Sequence, residues 1–294
     1  MNGVAPAQQN MARGPSSGGG HKQKGRWFHT TSTLIAQEGQ NTFISADPFK
    51  GSQIIYIRQH CQWHEEIIGW ESNNNYSVFL ARPGSSDLTM TDHEIQALPL
   101  AYQVPENSGA CCRQCCGPAR SFKMMVRDPT NPHHPLIRMR RPWACNVNVA
   151  GLCVCCPSTM FVSTGEYHPI GSVAQSERCF DCHKWLDVMG PDDHKVFDLR
   201  AGCCACGPNW CCRRYVFDII RPRSGNKVGE IANVYPGVFS CKPARADNLQ
   251  IVLWNDGQGI SNDEKALLLA AVFQIDFLYF EKRGESQDGV QVKA

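Results

Sequence analysis

The chain has 294 residues, a formal net charge of +2, 42% hydrophobic residues and 17 cysteines. That length buries a real core as one large or two ordinary domains. The near-neutral charge gives no global reason to expect a nucleic-acid partner.

Residues 1–25, MNGVAPAQQNMARGPSSGGGHKQKG, are Gly, Ser, Pro, Gln and Ala with almost no large apolar side chain. Such a segment cannot bury enough surface to offset its ordering entropy, and residues 1–40 are expected to be a disordered tail. The tail shows no apolar stretch of signal-peptide length, Asn2 does not fit the myristoylation pattern, and the end QVKA holds no prenylation cysteine. The expectation is a cytosolic chain, whose thiols stay reduced.

From about residue 40 the pattern is short strands. SQIIYIRQ, NYSVFLA, SFKMMVRD, LIRMRRP, STMFVST, PIGSVAQ, KVFDLRA, RYVFDIIRP, KVGEIANVYPG and NLQIVLW are rich in Val, Ile, Phe and Tyr and are bounded by turn formers. In RYVFDIIR, Tyr215, Phe217 and Ile219 share one face and Asp218 takes the other. DPTNPHHP and RPRSGN read as hairpin turns. Many short strands argue for an all-β barrel or sandwich.

The C-terminal SNDEKALLLAAVFQIDFLYFEKRG is the exception, a helix over 261–283. Ser261 and Glu264 form a capping box, Asp263 and Glu264 suit the N-terminal dipole, and Lys282, Arg283 and Gly284 suit a C-terminus. From Ala266 to Phe280 the helix is apolar on every face except at Gln274 and Asp276, so it must be enclosed. About 20 apolar residues are needed to cross a bilayer. This run is shorter, and Asp276 disfavours lipid. A closed barrel with the helix through its middle satisfies both patterns and is preferred over a membrane span, which stays the second reading. It buries Leu268, Phe273, Asp276, Phe277 and Phe280.

The cysteines cluster as CCRQCC (111–116), CVCC (153–156) and CCACGPNWCC (203–212). An odd number in a reducing compartment argues against a disulfide framework. Buried structural thiols, fatty-acid attachment and zinc remain. The zinc reading rests on Cys112-x-x-Cys115, Cys179-x-x-Cys182 with His183, and Cys203, Cys206 and Cys211. No catalytic constellation stands out. His133 and His134 lie in a Pro-rich segment, His168 has no nucleophile beside it, and no phosphate loop or nucleophile elbow occurs, so an enzyme is not expected.

Several stretches together resemble the phospholipid scramblase family, whose fold is related to the tubby-like barrel. They are GWESNNNYSV, CCRQCCGPARSFKMMVRD, RRPWACN with LCVCCPS, ADNLQIVLWND and KALLLAAVFQIDFLYFE. The resemblance runs from about Phe43 to Gly284, within an expected barrel domain of 41–284 followed by a short flexible tail of 285–294. It implies a twelve-stranded barrel around the C-terminal helix. It also implies calcium-triggered, ATP-independent, bidirectional movement of phospholipids between leaflets by a palmitoylated protein, on the cytosolic side of the plasma membrane.

On this resemblance Cys153, Cys155 and Cys156 match the acylation cluster, with Cys111, Cys112, Cys115 and Cys116 as further palmitate sites. Two acyl chains anchor stably where one does not. Arg138, Arg140 and Arg141 add attraction to an anionic membrane surface. The family's calcium segment aligns with 245–256, giving Asp247 and Asp256 as ligands. Arg245 stands where an acidic residue is expected and LQIVLW reads as a strand, so any calcium site here is weak. The alternative function is a membrane-tethered lipid- or protein-binding scaffold, or a signalling adaptor, without scrambling activity of its own. Nucleic-acid binding through Arg138–Arg141 or Arg213 and Arg214 is disfavoured by the small net charge.

Overall fold

In the computed structural model the described residues are 43–44, 47–60, 73–84, 92–109, 120–144, 148–149, 153–154, 157–176, 183–201, 214–234, 248–255 and 257–280. Twelve antiparallel strands close a barrel. In chain order they are β1 (Ile54–Gln59), β2 (Asn75–Leu80), β3 (Leu100–Asn107), β4 (Phe122–Asp128), β5 (Asn131–Arg141), β8 (Thr159–Thr164), β9 (Pro169–Gln175), β10 (Lys184–Met189), β11 (Lys195–Ala201), β12 (Arg214–Ile220), β13 (Lys227–Val234) and β14 (Asn248–Leu253). A two-stranded ribbon, β6 (Asn148–Val149) with β7 (Cys153–Val154), interrupts the connection from β5 to β8. Each barrel strand pairs with the one before it, and β14 returns to β1, so no edge is left open.

Period-two alternation fills the interior. Phe122, Met124 and Val126 of β4, Ile137 and Met139 of β5, and Phe217 and Ile219 of β12 point inward and are buried. Asp218 points outward and pairs with Lys227 at 2.6 Å. The turn 221–226 is closed by Arg221 N–H to Asn226 O at 3.0 Å, with Gly225 at φ 70° where a side chain would be strained. DPTNPHHP differs from expectation. Only its first residues turn, and Asn131, Pro132 and both histidines belong to an exposed extension of β5.

The central helix, Asn262–Ile275, fills the barrel axis, and its last turn, Asp276–Phe280, widens to π-helical geometry. A barrel of twelve strands is wide enough to need such a filling. Ser261 opens the helix as a complete capping box: Glu264 N–H donates to Ser261 Oγ at 3.2 Å and Ser261 N–H to Glu264 Oε2 at 2.8 Å. The Asp263 carboxylate accepts from the Phe43 and Ile44 N–H groups. Every residue from Ala266 to Phe277 is buried, Leu268 and Phe273 completely. Phe280, expected among the buried set, is only partly buried and lies edge-on to Tyr215. Lys282, Arg283 and Gly284 lie outside the described residues.

A short helix, Asp92–Ala97, covers the outside of the barrel at β1, β2 and β14, where Ile95 packs with Ile54, Tyr56, Phe79 and Val252. Among the described residues no helix is long and apolar enough to cross a membrane.

Candidate functional site

Strand order sorts the connections between the two barrel ends. Those joining Gln59 to Asn75, Asn107 to Phe122, Arg141 to Thr159, Gln175 to Lys184, Ala201 to Arg214 and Val234 to Asn248 all belong to one end. In sequence these six connections carry all 17 cysteines. The opposite end carries none. The central helix starts at that opposite end, where Arg221 pairs with Glu264. It finishes at the cysteine end.

There its last residues enter a buried polar cluster. Arg120 Nε donates to Glu106 Oε1 at 3.1 Å, with both side chains essentially sealed from solvent. Glu106 also accepts from Ser108 Oγ at 2.7 Å and from the Asn74 N–H at 3.0 Å, while Asn73 Oδ1 accepts from Ser108. The Arg120 guanidinium lies 4.9 Å from the ring centre of Phe277, which packs on Phe122 at 4.1 Å. Tyr76 O–H donates to Asp276 Oδ2 at 2.6 Å. Arg141 Nε donates to Ser158 Oγ at 2.6 Å, and Gln274 Nε2 donates to Ser158 O at 3.0 Å and Oγ at 2.8 Å. Buried charges persist only when paired and hydrogen-bonded. Glu106 and Arg120 meet this need as an ion pair, Asp276 is hydrogen-bonded by Tyr76, and Arg141 is held by Ser158.

Asn73 and Asn74 come from GWESNNNYSV, Arg120 and Phe122 from GPARSF, Arg141 from RRPW, and Asp276 and Phe277 from IDFLYF. These motifs lie far apart in sequence and lock the end of the helix to the barrel wall at one place. Asp276, a liability in lipid, is satisfied by Tyr76. Arg141 corrects an expectation. It points inward and is fully buried, so of the arginine trio only Arg138 and Arg140 face outward.

Outside this cluster an open cleft of about 350 Å³ is lined by Ser108, Ser121, Lys123, Arg140 and Arg141. Elsewhere at this barrel end, burial holds the Lys184 ammonium below its usual range, and it lies 4.5 Å from the Tyr279 ring centre. Burial pushes the Tyr279 hydroxyl up. At the same end burial, then Arg58, hold the His60 imidazole below its ordinary value, with Ser77 Oγ 2.7 Å from Nε2.

Of the expected acylation sites, Cys153 has its backbone in β7, paired with Val149. Cys155, Cys156, Cys111, Cys112, Cys115 and Cys116 lie outside the described residues, as do the cysteines of the zinc reading. Asp247 and Asp256 also lie outside them, on either side of the strand Asn248–Leu253, which is a buried barrel strand. His168 stacks on Phe43 with centroids 6.2 Å apart, and His133 and His134 are exposed. The Glu106–Arg120 pair was not legible as a site. Its signal is the lone Arg120 beside a β-strand start, and its partner sits in β3, a strand without a clear local signal.

A family model described as Scramblase matches residues 40–282. The chain is 27% identical to phospholipid scramblase 1 of Homo sapiens over 80% of its own length and 66% of that protein. It is 27% identical to phospholipid scramblase 2 of Bos taurus over 79% of its length and 70% of that protein. It is 26% identical to phospholipid scramblase 4 of Homo sapiens over 78% of its length and 61% of that protein. The matched region thus spans about two thirds of these relatives. No solved structure matches. With the family match extending from the first barrel strand to the end of the central helix, the chain belongs to the scramblase family.

Proposed function

We propose that this protein moves phospholipids between the leaflets of a membrane, in both directions, without ATP and in response to calcium. The names of its relatives support the reaction and its substrate. The observation that carries the reading is the convergence of the family's motif residues on one cluster, at the barrel end to which every cysteine-bearing connection belongs.

Palmitate on Cys153, Cys155 and Cys156, with Cys111, Cys112, Cys115 and Cys116 as further sites, anchors that end to the cytosolic leaflet of the plasma membrane. Two chains suffice for stable anchoring. Among the described residues the barrel is filled by its helix, which leaves no lumen for a headgroup. Lipids therefore pass along the outside of the protein, through bilayer disturbed by the anchored end. Calcium acts at Asp247 or Asp256. The strand between them runs roughly 17 Å from Asn248 to Leu253, so each aspartate draws its remaining oxygens from elsewhere. Asp247, which adjoins the cysteine end, completes its shell with headgroup phosphate. On this reading the site is weak in solution and is completed at the membrane.

A second reading is a tethered scaffold that binds lipid or protein without moving lipid. It is favoured by the sealed position of the helix. Reconstitution of the acylated protein with fluorescent phospholipid, followed by dithionite bleaching, separates the two. Lipid movement carries bleaching past the outer-leaflet half in calcium only, and Asp247→Ala/Asp256→Ala removes the calcium effect. Bleaching that stops at half, with folded protein on the liposomes, leaves the scaffold.

A further inference from the structure

We infer that the outer face of β4, β5 and β8, beside the cysteine end, docks on an anionic phospholipid surface, with Lys123 and Arg140 gripping headgroup phosphate in the cleft they line. The inference rests on the membrane reading above and adds its contact residues.

The outward positions from Lys123 to Arg127, Leu136 to Arg140 and Thr159 to Ser163 hold Lys123, Arg127, Arg138 and Arg140 and no carboxylate. Elsewhere on the barrel several cations are paired with carboxylates. Lys195 sits 3.0 Å from Asp187 and 3.1 Å from Asp198, and Lys227 is 2.6 Å from Asp218 and 3.3 Å from Glu230. On this face Arg138 is held by Gly165 O at 2.9 Å and by the Tyr167 ring. Lys123 and Arg140 are exposed and have no carboxylate partner among the described residues.

Their register sharpens the point. Lys123 and Arg140 are directly opposite across the β4–β5 ladder. Like charges in that position repel and destabilise the sheet. An anion between them turns the repulsion into a clamp. The cleft supplies the seat, with the hydroxyl-bearing Ser121 alongside the two cations.

Apolar neighbours identify a lipid surface as the source of that anion. Phe161 is paired in register with Arg140, its ring centre is 5.7 Å from the guanidinium, and it is 46% exposed. Trp143, just beyond β5, is 58% exposed. Aromatic rings beside basic groups suit the boundary between headgroups and acyl chains. The β1, β2 and β14 face is covered by the protein's own short helix. The connections leaving this face at Asn107 and Arg141 carry the proposed palmitate sites, so both contacts address one bilayer.

The test is flotation of the full chain, produced without acylation and without calcium, on phosphatidylcholine vesicles with or without phosphatidylserine. The parent is expected to bind only the anionic vesicles. Lys123→Ala/Arg140→Ala should lower that affinity roughly thirtyfold. Arg82→Ala/Arg223→Ala, which removes two exposed charges at the opposite end, should leave it intact. Thermal unfolding of each variant establishes that it is folded. Equal losses in both double variants, undiminished binding by Lys123→Ala/Arg140→Ala, or a parent that binds duplex DNA but no vesicles overturns the docking face. No lipid moves in this assay. Failure to scramble leaves the docking result standing, and acylated protein that scrambles without this face removes the docking inference alone.

Discussion

Glu106 and Arg120 show how a charged pair comes to sit inside a β-barrel. Glu106 accepts from a guanidinium, a hydroxyl and a backbone N–H, which together replace the water it gave up. Removing one partner leaves the other charge buried and alone. Glu106→Ala is therefore expected to cost about 3–5 kcal/mol in urea unfolding. The double variant Glu106→Leu/Arg120→Met should lose less than either single truncation, because no charge is stranded. His60 gives a pH signature. Its folded pKa lies below the ordinary 6.5, through burial first and Arg58 second. The unfolded chain then binds the extra proton, so this contribution to stability is present above pH 6.5 and is lost as pH falls from there through the folded pKa. His60→Gln should flatten that part of the melting-temperature profile, and an unchanged slope would count against the assignment. The effect is small because the ring is partly solvated.

At the scale of elements, the central helix is the most exposed to test. Leu268 is completely buried within the barrel. Leu268→Arg places an unpaired charge there and should abolish the folded domain, read by circular dichroism and gel filtration. A stable, monomeric Leu268→Arg protein would sink the enclosed-helix account. Phe273→Ala, which opens a cavity against Tyr76, should cost about 3–5 kcal/mol. This helix was legible from sequence because Ser261, Glu264 and the unbroken apolar run are all local signals. β3 and β10 were not. β3 carries Pro105 and an exposed Leu100, and β10 offers only Leu186 and Val188 as fully buried apolar positions. The extension of β5 reads as a turn in sequence because its prolines tolerate an exposed strand end as readily as a loop. Alternation within RMRR does place Arg141 opposite Arg138 and Arg140, so its inward turn was available in the sequence. The meeting of the motifs at one end was not. It depends on strand order, which no local pattern encodes.

For the whole molecule, the account is of a plugged barrel with two unlike ends. One end has the helix cap, mostly short turns and the longer β2–β3 connection that carries the short helix. The other gathers the cysteine-bearing connections, the buried clamp and the basic cleft. If this asymmetry sets the orientation at a membrane, the helix stays inside the barrel while the protein works, and no segment of it is handed to the bilayer. Hydrogen exchange by mass spectrometry on the liposome-bound, calcium-loaded protein tests this most directly. The account predicts that amides of the central helix and of strands β1–β5 and β8–β14 stay protected together, as one cooperative unit, on and off the membrane. A helix that remains protected while the barrel strands exchange freely on liposomes would mean that it had left the barrel for lipid, and would contradict the account.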